Sequence, residues 1–309
     1  MILTITPNTG LDRVLFLPSL RRNVRNQAAD VVESMGGKGC DVSLILRELG
    51  EETVATGLAG GDTGRRMETL LRDAGVIPDF VWTRGQTRFN TVLIETETGD
   101  HSTICADGLR PDEEALSGLL CWIARWATTV DAVVLAGSLP ENWGLEAYER
   151  LLGAAKAAGK PLIVDATARY LTAAAECGVT AVKPNRGELA SVAGPLPDRA
   201  SVLEAANALQ RRGVERVLVS HGADGGLLVS SRGVWEAAGL RVPLVNPAGA
   251  GDGMTACLAL GAVRGWDEAE TLRWAIAVSA AIVTTRGTAE VYRQDIEELL
   301  PRVRVERVG

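Results

Sequence analysis

One glycine-rich segment, residues 245–254, combines residue types that could carry out phosphoryl transfer. Positions 249–252 are Gly-Ala-Gly-Asp, and a helical pattern of apolar residues begins there. Glycines let an anion approach the backbone closely, and N–H groups at a helix N-terminus favour negative charge. The anion would repel Asp252, unless this carboxylate accepts a proton from an attacking hydroxyl. Alternatively Asp252 only caps the helix, and this segment alone leaves both interpretations open.

Polar residues also follow several short apolar segments that we expect to be strands. They are found at 137–138 (Gly-Ser), 165 (Asp), 183–185 (Lys-Pro-Asn) and 220–222 (Ser-His-Gly). In a parallel sheet the carboxyl ends of the strands meet at one edge, and ligands bind in the crevice there. The sequence therefore predicts one polar crevice that gathers these side chains beside Asp252.

The elements that position these residues are predicted to form an α/β fold, a mostly parallel sheet flanked by helices. Continuous Val, Leu and Ile segments alternate with amphipathic helical patterns, which is typical of parallel strands covered on both faces. Two stretches, 12–35 and 86–106, lack helical patterns, and residues 24–33 look extended. We expect these stretches to form a small β-sheet inserted into a single domain of residues 1–309.

Composition excludes several classes of protein. The chain has 309 residues, 46% of them hydrophobic, and its net charge of −7 argues against nucleic acid or an anionic membrane as a partner. Its five cysteines form no CxxC pair, as expected of reduced thiols in a cytoplasm. No segment approaches the ~18 apolar residues of a membrane span, and the first residues do not resemble a signal peptide. We expect a cytoplasmic enzyme.

Short motifs in a fixed order span nearly the whole chain. They lie at 4–8 with Asp12, 36–39, 87–90, 137–140, 182–185 with Glu188, 220–225 and 249–252. Together they resemble the ribokinase-like PfkB family of carbohydrate kinases, in the branch that contains 1-phosphofructokinase and tagatose-6-phosphate kinase. The resemblance implies a ribokinase-like fold in which the small sheet is a lid, and a homodimer joined through that lid, whose strand edges invite pairing.

The resemblance also implies roles in catalysis. Asp252 would be the general base, for which an ordinary carboxylate pKa of about 4 would suffice. The N–H groups of Gly249, Ala250 and Gly251 would stabilise the transferring phosphoryl group. ATP and Mg²⁺ are the implied cofactors. The nucleotide would meet Lys183, Asn185, Ser220, Gly222 and Gly225.

The metal would be held through water by two residues of the implied nucleotide site, Asn185 and Glu188. The alternative is that Asn185 and Glu188 only cap the helix that follows Pro184.

The resemblance implies a further set of residues for the sugar. Asp12 would accept hydrogen bonds from its hydroxyls, and a phosphate would need Arg or other strong donors. Arg25 is open to the alternative of a solvated surface charge. The implied substrate-binding residues are Asp12, Arg25, Gly36, Gly37, Lys38, Asp41, Arg88, Asn90 and Ser138.

Two departures from the family pattern affect these roles. Asp41 stands where relatives usually have Asn, and an ionised Asp41 would repel a substrate phosphate. Pro247 lies before Gly249 and removes an N–H donor from the turn.

The sequence favours a sugar-phosphate kinase that forms a bisphosphate, for example from fructose 1-phosphate or from tagatose or fructose 6-phosphate. A kinase for an unphosphorylated sugar or a nucleoside is favoured by Asp41 and disfavoured by Arg88 with Asn90. A non-catalytic sugar- or nucleotide-binding regulator is the alternative of another class. A dinucleotide-binding dehydrogenase is excluded because no G-x-G-x-x-G follows the first strand.

Overall fold

The computed structural model describes residues 1–309, apart from the side chain of Ala168. Strands and helices alternate along most of this chain. The strands are β1 (Ile2–Thr6), β2 (Gly10–Leu17), β3 (Asp30–Gly36), β4 (Thr53–Ala59), β5 (Ile77–Pro78), β6 (Val81–Trp82), β7 (Arg88–Glu95), β8 (His101–Ile104), β9 (Ala132–Ala136), β10 (Leu162–Asp165), β11 (Ala181–Val182), β12 (Arg216–Ser220), β13 (Gly225–Ser230), β14 (Gly233–Ala238) and β15 (Val305–Arg307).

The helices lie mainly between the strands of the larger sheet. They are α1 (Lys38–Glu48), α2 (Gly61–Asp73), α3 (Glu113–Ala127), α4 (Leu145–Lys156), α5 (Ala168–Cys177), α6 (Arg186–Ala193), α7 (Arg199–Arg211), α8 (Ala250–Arg264), α9 (Glu268–Ile282) and α10 (Arg293–Leu299), with short 3-10 helices at Gly222–Asp224 and Leu300–Arg302. None of the described helices is long and apolar enough to cross a membrane.

The central sheet has the strand order β15-β14-β13-β12-β11-β10-β9-β1-β4-β5, and β6 also pairs with β4. In this spatial order the strands from β5 to β12 pair in parallel, whereas β13, β14 and β15 extend the other end in antiparallel pairing. The prediction of an α/β fold with a mostly parallel sheet is confirmed. The antiparallel extension was not predicted from the sequence.

Alternate residues of the parallel strands point to opposite faces of the sheet and pack into two separate hydrophobic cores. In β1, for example, Leu3 and Ile5 pack with residues of α3 and α4, whereas Ile2 packs with residues of α1, α8 and α9. All five residues of β1 are buried. Burial on both faces explains why these strands have continuous apolar sequences, without the alternation of a half-exposed sheet.

A second, separate sheet has the order β3-β2-β7-β8. Its strands come from the two stretches predicted to form it, and its own apolar cluster contains Val14, Phe16, Val92 and Ile94. The expectation that residues 24–33 are extended is only partly correct, because β3 begins at Asp30. Arg25 therefore lies in an exposed loop between β2 and β3.

Candidate active site

A buried ionic cluster lies at the carboxyl edge of the central sheet. Asp165 ends β10 and is fully buried. Its Oδ1 lies 2.8 Å from Lys38 Nζ, and its Oδ2 lies 3.5 Å from Lys183 Nζ. Thr255 donates a hydrogen bond to the same Oδ2 at 3.2 Å. Burial alone would raise the pKa of Asp165, but Lys183 and Lys38 hold it below its ordinary value.

Asp252 lies in the first turn of α8 and does not cap it. The residue at the N-cap is Gly249, and no side chain caps this helix. The capping alternative for Asp252 is therefore wrong. Burial raises the pKa of Asp252 to about 7, with Lys38 opposing the shift and Asp165 adding to it. The ordinary carboxylate pKa assumed from the sequence does not hold here, because this side chain is only 7% exposed.

The N-terminus of α8 leaves backbone donors free. The N–H groups of Gly249 and Gly251 have no acceptor among the described residues, whereas that of Ala250 donates to Pro247 O at 3.4 Å. Gly249 has φ +89°, and a Cβ there would collide with the backbone of Ala289. Only glycine fits this turn without strain.

The turn before Gly249 is organised by a buried side chain. Asn246 Oδ1 accepts a hydrogen bond from Ala248 N at 3.0 Å, and Asn246 Nδ2 donates to Arg286 O at 3.1 Å. Asn246 thus supplies contacts in the segment where Pro247 removes a donor.

Asp12, in β2, is the centre of a second polar group. Asn90 Nδ2 donates to its Oδ1 at 2.8 Å, and Thr288 Oγ1 donates to its Oδ2 at 3.1 Å. Burial raises the pKa of Asp12, while these two hydrogen bonds and the charge of Arg88 act in the opposite direction. Gly36 is required beside it, because a Cβ at this position would lie within 2.9 Å of Asp12 Cγ.

Three buried polar atoms near Asp12 have no partner within the described chain. They are Arg88 Nε, Asn90 Oδ1 and Asp41 Oδ1. Arg88 and Asn90 lie at the start of β7, and the register pairs Asn90 with Asp12. Unpaired buried polar atoms are costly, so this group fits a polar ligand that supplies both donors and acceptors.

Asn185 and Glu188 form the capping box predicted as their alternative role. Asn185 Oδ1 accepts from Glu188 N at 2.8 Å, and Glu188 Oε2 accepts from Asn185 N at 2.8 Å. Glu188 Oε1 also lies 3.9 Å from Lys38 Nζ. The described residues contain no cluster of three or more metal-ligating side chains. Glu188 Oε1 takes no part in the capping box, so this oxygen suits contact with a Mg²⁺ ion that keeps its waters.

A cleft of about 290 Å³ lies beside the capping box. It is lined by Asn185 and by the loop from Ser220 to Gly222, which has the 3-10 helix at its end. Gly222 has φ +61° and open space around it. The reason for Gly225 differs from the expectation of close ATP contact, because a Cβ there would collide with Ala237 O of β14.

The structure gathers most of the sequence-predicted residues but not all of them. Lys38 and Lys183 meet at Asp165, and Gly36, Arg88 and Asn90 meet at Asp12. Gly37 has φ +94° beside Thr6 and Thr9. Ser138 is exposed and accepts a hydrogen bond from Asn8 at 3.2 Å. Arg25 makes no hydrogen bond or ion pair with the described residues, which agrees with the alternative of a solvated charge.

Sequence reasoning assigned no role to three residues that hold this site together. Asp165 follows an apolar segment that predicts a strand, and this position is a usable signal for its place in the site. Thr255 lies one helical turn after Gly251, which is a weaker signal. Thr288 is 276 residues away from Asp12, and no local pattern indicates their contact.

Another cleft, of about 700 Å³, lies at the opposite edge of the sheet, near the start of β12. Two of its three arginines, Arg216 and Arg232, lie 3.6 Å from Glu268. The third, Arg211, is paired with Glu204, so all three charges already have partners.

Comparisons with known proteins identify the family of this chain. The family model of pfkB family carbohydrate kinases matches residues 9–295. The 1-phosphofructokinase of Escherichia coli K12 is 31% identical over 307 residues, covering 98% of this chain and 97% of that protein. Phosphofructokinase-2 from Escherichia coli, in a crystal structure with substrates and products, has a TM-score of 0.92 at 27% identity, covering 97% of this chain and 98% of that one.

The ribokinase of Arabidopsis thaliana, complexed with ribose and ATP, has a TM-score of 0.77 at 22% identity, covering 97% of this chain and 98% of that one. At this identity the likeness shows a shared fold, and the predicted ribokinase-like fold is confirmed. The family match extends over nearly the whole chain and includes both polar groups described above. The protein belongs to the pfkB family of carbohydrate kinases, which are phosphotransferases with an alcohol group as acceptor.

Proposed function

We propose that the protein transfers the γ-phosphoryl group of ATP to a hydroxyl of a ketohexose phosphate, with fructose 1-phosphate as the first candidate. The observation that carries the proposal is the buried carboxyl of Asp252, whose pKa is about 7, at the N-terminus of α8. Such a base accepts a proton from the acceptor hydroxyl near neutral pH. The free N–H groups of Gly249 and Gly251 would stabilise the charge on the transferring phosphoryl oxygens.

ATP and Mg²⁺ are part of this proposal. The cleft between Asn185 and the Ser220–Gly222 loop would receive the nucleotide. Lys183, whose Nζ lies beside Gly251, would face its phosphates. Asn185 and Glu188 would hold the ion through water, and the ion would neutralise charge on the phosphates. The buried cluster of Asp165, Lys38 and Lys183 keeps both lysines in fixed positions next to Asp252.

The unpaired atoms near Asp12 support a phosphorylated sugar as the acceptor. Arg88 Nε is a charged, buried donor without an acceptor, and a phosphate would supply one. Asn90 Oδ1 lacks a donor, which a sugar hydroxyl would supply. An ionised Asp41 would favour the alternative of an unphosphorylated sugar or nucleoside, because a second buried carboxylate beside Asp12 would repel an anion. Burial and the charges of Asp252 and Asp12 raise the pKa of Asp41 well above its ordinary value and so oppose that ionised form. The relatives also favour a phosphorylated sugar, because the 1-phosphofructokinases align with 98–100% of this chain.

Steady-state ADP release with a panel of acceptors tests the proposal. The panel contains fructose 1-phosphate, fructose 6-phosphate, tagatose 6-phosphate, fructose, ribose and adenosine. We expect turnover of at least one ketohexose phosphate and much slower turnover of the free sugars. Turnover of free sugars alone would overturn the phosphosugar assignment. Turnover of no acceptor, with ATP still bound, would favour a non-catalytic regulator.

Replacement of the base tests the carboxyl of Asp252 directly. Asp252→Asn preserves size but removes the proton acceptor, so we expect kcat to fall by about 10²–10⁴-fold while the Kd for ATP stays close to wild type. Asp73→Asn, at an exposed position near the end of α2, is the matched control and should leave kcat unchanged. A wild-type kcat in Asp252→Asn would show that another group is the base.

The small sheet formed by β2, β3, β7 and β8 completes the proposal. Asp12, Arg88 and Asn90 all lie in its strands, so it would cover the sugar as a lid. We also propose a homodimer joined through this sheet and a cytoplasmic location, in agreement with the free cysteines.

A further inference from the structure

A carboxyl group lies buried at the sugar side of the site without a hydrogen-bond partner for one of its oxygens. Asp41, in the first turn of α1, is only 3% exposed, and its Oδ1 has no partner among the described residues. We propose that Asp41 acts as a neutral carboxylic acid that donates a hydrogen bond to an oxygen of the anionic sugar. This inference rests on the proposed function and names a residue that determines its substrate affinity.

The position of Asp41 directs it to the acceptor rather than to ATP. Asp41 lies one helical turn after Lys38, so both side chains are on the same side of α1. The charges of Asp12 and Asp252 both act on its carboxyl. The reacting hydroxyl must lie beside Asp252, and the sugar must lie beside Asp12. Because the charges of both carboxyls affect Asp41, its side chain lies next to the acceptor.

The charged surroundings of Asp41 disfavour its ionised form. On α1 the titratable neighbours are Lys38 and Cys40, and β2 and α8 contribute Asp12 and Asp252. Strands β1, β4 and β9, which also pack against α1, have no titratable side chain. The remaining packing partner is β3, whose acids are already paired: Glu33 with Arg66, and Asp30 with Arg286.

Two carboxyls and burial oppose the charge on Asp41, and only Lys38 favours it. Burial, with the charges of Asp252 and Asp12 adding to it, raises the pKa of Asp41 well above its ordinary value. Lys38 is itself held by Asp165 at 2.8 Å, so it does not pair with Asp41. A proton on Asp41 also lowers the negative charge near Asp252, which can then ionise at neutral pH and act as the base.

A neutral carboxylic acid can donate a hydrogen bond like the amide of the usual Asn, but unlike the amide it can ionise. Its O–H donates a hydrogen bond to a phosphate oxygen, as an amide N–H₂ does. Unlike the amide, it loses that donor and gains a negative charge when the pH rises. Substrate affinity is therefore expected to fall at alkaline pH in this protein, and to stay constant where Asn takes its place.

The pH dependence of KM for fructose 1-phosphate tests the proposal between pH 7.5 and 9.5. The substrate phosphate, with a pKa of about 6, keeps its charge over this range. Lys38 also stays charged, because Asp165, Asp252 and Glu188 raise its pKa despite burial. We expect the wild-type KM to rise toward about tenfold per pH unit, and the KM of Asp41→Asn to stay flat. Asp73→Asn should keep the wild-type slope.

A second readout follows the proton itself and can be measured on the wild-type protein. Calorimetric titration of the wild-type protein with fructose 1-phosphate at pH 9, in two buffers with different ionisation enthalpies, measures protons taken up on binding. The proposal expects net uptake of up to one proton, and Asp41→Asn should show none. No uptake by the wild type, or release, would overturn the proposal, as would a KM that is flat or falls with pH.

The two proposals fail in different ways. If fructose 1-phosphate and the other ketohexose phosphates are not phosphorylated at pH 7.5, the proposed function has failed before any titration. If another ketohexose phosphate is the substrate, it replaces fructose 1-phosphate in the KM measurements and in the calorimetric titration. A higher wild-type affinity at alkaline pH, together with weaker binding by Asp41→Asn, would then show that an ionised Asp41 accepts a sugar hydroxyl.

Discussion

At the scale of single residues, the environment of a carboxyl decides when it can act. Burial raises the pKa of Asp252 to about 7, so its proton is bound below that pH and the base form prevails above it. We expect kcat/KM for the sugar phosphate, which reports the groups of the free enzyme, to fall by about tenfold per pH unit below pH 7. Initial rates at low sugar concentration between pH 5.5 and 7 measure this. A kcat/KM that stays constant down to pH 5.5 would contradict the assignment.

Gly36 shows how a missing side chain can fix a substrate-binding group. A Cβ here would lie within 2.9 Å of Asp12 Cγ, so Gly36→Ala must displace the carboxyl. We expect KM for the sugar to rise by roughly tenfold or more, with a smaller change in KM for ATP. Gly153→Ala is the control, because nothing lies within 4 Å of a Cβ there, at an exposed position of α4. This variant should keep wild-type kinetics and gain up to about 1 kcal/mol of stability.

At the scale of elements, one side chain joins α3 to the edge of the central sheet. Asp79 lies between β5 and β6, and it accepts hydrogen bonds from the indoles of Trp122 and Trp126, both at 2.8 Å. Each carboxylate oxygen accepts a hydrogen bond from one indole N–H. No local pattern indicates this contact, because the partners are 43 and 47 residues away from Asp79.

Asp79→Asn should destabilise the protein without changing its site. An amide offers one acceptor oxygen, so the other indole would face an N–H₂ group that also donates. We expect the free energy of unfolding to fall by about 1–3 kcal/mol. Urea titration followed by tryptophan fluorescence measures it. Asp62→Asn, which removes an exposed i,i+3 ion pair with Arg65, is the control and should change stability by less than about 0.5 kcal/mol. Equal stability of both variants would contradict the role of Asp79.

At the scale of the whole molecule, the small sheet leaves apolar side chains in solvent. Its edge strands are β3 and β8, and they expose Val31 by 52% and Ile104 by 59%. Unpaired strand edges with exposed apolar residues favour association with a second copy.

Light scattering coupled to gel filtration tests the proposed dimer. We expect the mass of two chains for the wild type, and a shift toward one chain when charge is placed on the edges with Val31→Lys and Ile104→Asp together. Val308→Lys, an exposed apolar position outside the small sheet, is the control. A wild-type mass of one chain would contradict the dimer.

The parallel core and most of the site could be predicted because their signals are local. Continuous apolar segments follow from burial on both faces, and strand ends in a parallel sheet must meet at one edge. The small sheet was also predictable, from two stretches without helical periodicity. The antiparallel strands β13 to β15 were not, because pairing between distant segments leaves little trace in local composition.

By itself, the sequence determined the fold class, the family and the residue types at the carboxyl edge of the sheet. Only the tertiary structure decided which of those residues meet and in what surroundings. In the fold, Thr288 donates a hydrogen bond to Asp12, 276 positions away in the sequence. Asp252 does not cap α8, and burial raises the pKa of its carboxyl to about 7. The fold also leaves Arg25 in solvent. The physical reason is that burial and the charges of neighbours set protonation and hydrogen bonding, and both depend on residues that are distant in the chain.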